Sequence, residues 1–166
     1  MKRETAELII QLYANELKDA PCSKGHHLSE RGGLLKHLCN VESEAFLLDP
    51  TNETLIALAR IHDIGKARTY RISKHIVAMV EEDKIEYATP AVDHLINTIA
   101  MIEGAVKVTE YHLTQEELHA LQYHHGGFSP FVAANKSGQV VLTELAIKLH
   151  YCDILASLKE VEGRYK

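Results

Sequence analysis

The stretch LARIHDIGKART, residues 58–69, decides how this chain reads. Leu55, Ile56, Leu58, Ala59 and Ile61 make one apolar face of a helix that Thr51 or Asn52 can cap. That helix delivers His62 and Asp63 at its C-terminal end. Gly65 follows, where a left-handed or tight conformation is expected. Adjacent histidine and aspartate offer an imidazole nitrogen and a carboxylate from one short piece of backbone. The carboxylate can bind a cation on each oxygen. Between Ile61 and Ile64, an ionised Asp63 is costly if buried alone; a cation, an arginine or exposure would remove that cost, and the nearby histidines favour the cation.

Working outward, His37, His94, the pair His124-His125 and Asp153 recur at roughly one helix pair each, about the spacing a bundle could bring together. Mixed His/Asp shells suit Mn, Fe, Zn, Ni or Co. A site with an open position can lower the pKa of bound water. The pattern is neither HExxH nor a cysteine cluster, so zincin and zinc-finger readings fall away.

The rest of the chain reads as helices joined by polar turns. Residues 3–19 carry Leu8, Leu12, Tyr13 and Leu17 at helical spacing, with Ile9 widening the stripe, and Asp19-Ala20-Pro21 ends it. CSKGHHLSERGG is a loop. Leu34, Leu35, Leu38, Val41, Ala45 and Leu48 mark a helix that starts after Gly32-Gly33 and stops at Pro50. Residues 68–89 mix β-branched residues with a charged turn and read as a small hairpin near 70–88 or an irregular excursion. Thr89-Pro90 suggests a cap and first-turn proline for a helix over 91–105 with Val92, Leu95, Ile96, Ile99 and Ile102. Thr114-Gln115-Glu116-Glu117 opens a further helix as a capping box, ending at His124-His125-Gly126-Gly127. FSPFVAANKSGQ is a loop. Near Thr143 a last helix begins, with Leu145, Leu149, Ile154, Leu155 and Leu158 apolar and Asp153 inside it. The expected fold is all-α, a single domain over residues 1–166 with about six helices.

The 166 residues suit one domain with a sizeable core. A net charge of −5 argues against a general nucleic-acid coat. Eleven histidines are the unusual component. Cys22, Cys39 and Cys152 form no CxxC, which fits a reduced, cytoplasmic setting. Cys39 and Cys152 read as small buried fillers. The charged N-terminus does not read as a signal peptide. No apolar run is long enough to span a bilayer, so no membrane role is expected.

The order His … His-Asp … Asp, with GGLLKHL and HDIGKA around it, resembles the HD-domain metal-dependent phosphohydrolases, from about Gly32 to Leu158. The resemblance implies an HD helical bundle in which His37, His62, Asp63 and Asp153 hold one metal. His94 and His124-His125 fall where members with two metals place extra ligands, and Asp63 would then bridge the ions. GGLLKH, HDIGK, HHG and TELAIKLHYCDILASL are closest to the HD domain of certain bacterial 3′→5′ exoribonucleases. Those enzymes carry an OB-fold module before the HD domain, for which one short leading helix leaves no room. The cyclic-dinucleotide phosphodiesterases carry GYP after the paired histidines, where this chain reads HHGGFSPF.

The resemblance implies a metal-dependent hydrolase of a phosphorylated small molecule, a nucleotide above all. Water held between two divalent ions would attack phosphorus. Lys66 could reach a phosphoryl oxygen. Arg31 is a second candidate anion contact. His27 is a candidate for the pocket mouth or for protonating the leaving group, and Thr143 and Asn135 for base or sugar contacts. His150, three residues before Asp153, could support a ligand from behind. His26, His75, His112 and His119 stay in the background. Two other readings remain open: phosphodiesterase or 3′→5′ exonuclease action on short oligonucleotides, and a non-catalytic nucleotide-binding module. Pairing into a homodimer is compatible with the resemblance.

Overall fold

The computed structural model describes residues 1–77, 80–91, 93–126, 129, 131 and 140–165. Its described elements are α1 (Arg3–Leu12), α2 (Ala14–Leu17), α3 (Gly33–Leu48), α4 (Glu53–Ile61), α5 (Lys66–Thr69), β1 (Tyr70–Val77), β2 (Val80–Tyr87), α6 (Asp93–Gly104), α7 (Val106–Thr109), α8 (Gln115–Tyr123) and α9 (Glu144–Val161). The chain is mostly helical, with one antiparallel hairpin whose register runs from Tyr70 opposite Tyr87 to Val77 opposite Val80. The hairpin alternative is therefore the observed one. The expected helix count holds for the six longer helices among the described residues. The single turns α2, α5 and α7 carry too few residues for a periodic signal.

The core forms where α3, α4 and α9 pack on one another and on α1. Leu34 and Leu38 of α3, Leu55, Leu58 and Ile61 of α4, and Leu149 of α9 are fully buried. Each such side chain contributes about 1.5–3 kcal/mol. Helix α9 runs antiparallel to α3: Lys148 Nζ lies 3.0 Å from Asp49 at one end, and Glu160 lies 3.1 Å from His37 at the other. Helix starts follow their caps. Asn52 accepts from the Leu55 amide at 3.0 Å. Thr114 and Glu117 form a complete capping box. Thr143 accepts from the Ala146 amide.

Four local expectations need correction. The first helical segment breaks at Tyr13, and its buried residues are Ala6, Ile9, Ile10 and Leu17, while Leu8 and Leu12 are exposed. The alternative stripe 6, 9, 10, 13, 17 has the same helical period and wins the core. Thr89 caps nothing: its amide turns toward Thr69 O at the hairpin's base, and α6 starts only at Asp93. Val92 lies outside the described residues. Gly65 is right-handed, with φ −62° and ψ −18°. A glycine is needed there for approach rather than for handedness, because a Cβ would sit 2.2 Å from His94 O and 2.4 Å from Thr98 N. Cys39 is exposed and accepts from Arg60 Nη1 at 3.0 Å, since the inward face of α3 is 34, 38, 41 and 45; Cys22 and Cys152 are buried.

Candidate metal centre

Five elements aim polar side chains at one point. His37 comes from the second turn of α3. His62 and Asp63 follow the end of α4. His94 stands in the first turn of α6. His124 and His125 follow the end of α8, and Asp153 comes from the middle of α9. A bare helix end leaves carbonyls without partners, and the histidines use them. His62 Nδ1 donates to Ala59 O at 2.9 Å, and His124 Nδ1 donates to Leu121 O at 2.7 Å. His94 Nδ1 donates to Ala91 O in the same three-residues-back pattern. A carbonyl can only accept, so these bonds fix Nδ1 as the protonated nitrogen and turn Nε2 inward.

Asp63 is fully buried and stands at the centre. Its two oxygens face different partners. Oδ2 lies 3.4 Å from His62 Nε2 and 3.8 Å from His37 Nε2. Oδ1 lies 3.4 Å from His94 Nε2 and 3.5 Å from His124 Nε2. Asp153 Oδ1 joins the first set, 3.2 Å from His37 Nε2 and 3.7 Å from His62 Nε2. His125 joins the second, its Nε2 2.9 Å from that of His94. The result is two groups with ligand atoms all within 4.8 Å of one another, His37/His62/Asp63/Asp153 and Asp63/His94/His124/His125, which share Asp63. Nε2 of His37, His62 and His124 and both oxygens of Asp63 are buried without a hydrogen-bond partner. Buried polar atoms are rarely left so. Converging N and O atoms at this spacing suit a borderline divalent ion, so the cluster could bind metal.

Lys66 Nζ lies 2.6 Å from Asp63 Oδ2, an ion pair whose angles fall outside hydrogen-bonding range. Burial works against an ionised Asp63, but the charges of Lys66 and His62 outweigh it and hold its carboxyl well below the usual range. Burial pulls His62 down, yet Asp63 and Asp153 overcome this and raise it to about 9. His37 is also raised, against burial, by Cys22, Asp153 and Glu160. In the second group burial prevails: His94 is lowered, and His125 falls to about 3, helped by the charge of His124. His37 and His62 are thus pushed toward the cationic form beside two carboxylates, and His94 and His125 toward the neutral one.

The remaining candidates divide. Lys66 belongs to the cluster, engaged with Asp63. His27 stacks edge-on against His37, with ring centroids 5.0 Å apart, and its Nδ1 pairs with Glu160 rather than with Asp63. The Arg31 guanidinium is held by Asp83 of β2 at 2.8 Å and by Asp19. Thr143 caps α9. Asn135 lies outside the described residues. His150 donates from Nδ1 to the carbonyl of His124 and so braces that histidine through its backbone. Gly126, at φ +55°, lets the chain turn past that ring: a Cβ would meet His150 Nε2 at 2.9 Å.

Sequence reasoning missed two side chains here. Glu160, 1% exposed, accepts from Asn40 at 2.8 Å and lies 3.1 Å from His37 Nδ1. Burial would raise its pKa, but bonds from His27 and His37 bring it to about 2. It stands two helical turns beyond Asp153, a spacing that puts both acids on one face, so its position was legible. Cys22 is fully buried, with Sγ 3.8 Å from Lys66 Nζ and grouped with His27 and His37. Nothing in its polar loop marks that placement.

Compared with the known protein families, the curated proteins and the solved structures, the chain matches none. Among the described residues no helix is long and apolar enough to cross a membrane.

Proposed function

We propose that this chain is a metal-dependent phosphohydrolase of the HD-domain type, built for two divalent ions and acting on a phosphate ester of a nucleotide or related small molecule. The observation that carries the proposal is the division of Asp63: Oδ2 faces His37 and His62, and Oδ1 faces His94 and His124. A carboxylate serving one structural ion would need no second group of imidazoles on its other oxygen, with His124 Nε2 buried and unpartnered among them. The order and spacing of the ligands, and the HDIGK string, support the family assignment by resemblance.

A divalent ion at such a site supplies Lewis acidity, lowering the pKa of water and neutralising phosphoryl charge. The chain's residues do the rest. The carbonyls of Ala59, Ala91 and Leu121 and the carboxylate of Glu160 hold four imidazoles with Nε2 inward. Lys66 is the ammonium within the cluster, placed to meet an anionic ester. His27, paired with Glu160 one ring away from His37, would be the group to protonate the leaving ester oxygen. Mn, Fe, Co, Ni and Zn all suit this donor set.

The test is a panel of nucleoside mono- and triphosphates and short oligonucleotides offered to protein loaded with each metal. Phosphate release that disappears in Asp63→Ala supports the reading. Tight nucleotide binding without turnover across all metals replaces it with the non-catalytic one. Cleavage confined to the oligonucleotides replaces it with the phosphodiesterase one.

A further inference from the structure

Helix α9 has two apolar faces, and the fold covers one. Leu145, Ala146, Leu149, Cys152 and Ala156 point inward and are buried. On the opposite side Ile147, Tyr151, Ile154, Leu158 and Val161 follow one another at spacings of four, three, four and three. At 100° per residue these five share a strip under a quarter of the helix circumference wide. All are exposed, from 44% at Ile154 to 73% at Val161.

Scattered exposed apolar residues are ordinary. Five in succession at a mean period of 3.5 are the pattern of a helix–helix seam. A helix apolar on both sides is expected to be covered on both.

We propose that this face is a self-association surface, on which a second copy of the chain lays its own α9 antiparallel. The flanking charges choose the occupant. Lys148 follows Ile147, and Glu162 follows Val161, fourteen residues on, so both lie on the same flank of the strip at equivalent places in the repeat. An antiparallel twofold pair sets Lys148 of one copy toward Glu162 of the other at both ends. A parallel twofold pair sends these flanks to opposite sides of the seam, where Lys148 and Glu162 do not meet. Lys148 already contacts Asp49 at 3.0 Å and Glu144 at 2.7 Å, and its ammonium has a third donor. A lipid surface would call for basic flanks instead.

Size is consistent too. A standard interface buries about 800 Å² per partner, little more than half of it apolar. Five large exposed side chains supply an apolar share of that order. The same helix carries Asp153 and Glu160 on its inner side, next in sequence to Ile154 and Val161, so the seam would brace the metal centre's wall.

The experiment is sedimentation velocity on the full chain over a hundredfold concentration range, with Tyr151→Glu/Leu158→Glu as the disrupting pair. Both positions are solvent-exposed, and circular dichroism verifies the fold. The expected result is a dimer whose dissociation constant rises at least 100-fold in the double variant. Ile154→Cys, in a Cys39→Ser background, is expected to cross-link with its own copy under mild oxidation. A wild-type chain that stays monomeric throughout overturns the proposal, whatever else covers the face. So does a double variant that dimerises as the wild type does.

Discussion

Lys66 Nζ stands 2.6 Å from Asp63 Oδ2, on the side of the carboxylate that also faces His62 and His37. This ammonium neutralises the central acid. Removing one member of a buried ion pair costs about 3–5 kcal/mol because the other charge is left unpaired. Lys66→Met is therefore expected to lower the melting temperature strongly in chelator and far less with divalent metal present. Equal losses under both conditions would show that Lys66 stabilises the fold by packing alone.

Glu160 fixes His37 as backbone carbonyls fix His62, His94 and His124. Loss of such an outer partner typically costs 10–100-fold in metal affinity. Glu160→Gln is expected to weaken the tighter measurable site by that factor and also to lower the melting temperature of the chelated protein, since Glu160 is a buried acid paired with His27 and His37. Calorimetric titration with Mn or Co measures it. Affinity within twofold of wild type would remove Glu160 from the site.

Gly65 allows α5 to approach α6 at His94. Overpacking at such a contact typically costs about 1–3 kcal/mol. Gly65→Ala is expected to lose stability in that range and to impair the His94 half of the site more than the His37 half. Cobalt spectra recorded during stepwise loading separate the two. Equal impairment would mean the contact serves the fold without positioning His94.

The chelated protein should have a pH optimum of stability. His62 is held near 9 in the fold against about 6.5 unfolded, so its contribution is complete below 6.5 and lost as pH rises through 9. His37 is raised and acts in the same direction. His125, lowered to about 3, acts oppositely: between 3 and 6.5 the unfolded chain binds the extra proton, and stability rises with pH. Melting temperature in chelator is expected to peak near pH 6.5 and fall toward 9. With metal the fall should vanish, since ligands bind deprotonated. A flat profile above 6.5 in chelator contradicts the protonation pattern.

Much of this site is readable from the chain because its candidate ligands sit where local rules are strong. His62 and Asp63 end a periodic apolar helix, and His124 ends another that starts at a capping box. What stayed hidden depends on contacts between distant segments. Gly65 is spent on approach to α6, which no local conformational rule shows. Cys22 reaches the cluster from a loop with no period. Arg31 meets Asp83 only because the hairpin folds back over that loop. Leu8 and Leu12 lost to Ala6, Ile9 and Ile10 because two stripes of equal period compete and tertiary packing chooses between them.

The central claim is that one carboxylate serves two cations, one on each oxygen. Elemental analysis of anaerobically loaded protein tests it most directly, comparing wild type with His94→Ala/His124→Ala and with Asp63→Ala. The account predicts two equivalents of divalent metal per chain, then one, then none. A single equivalent in the wild type, or full loading that survives Asp63→Ala, would contradict it.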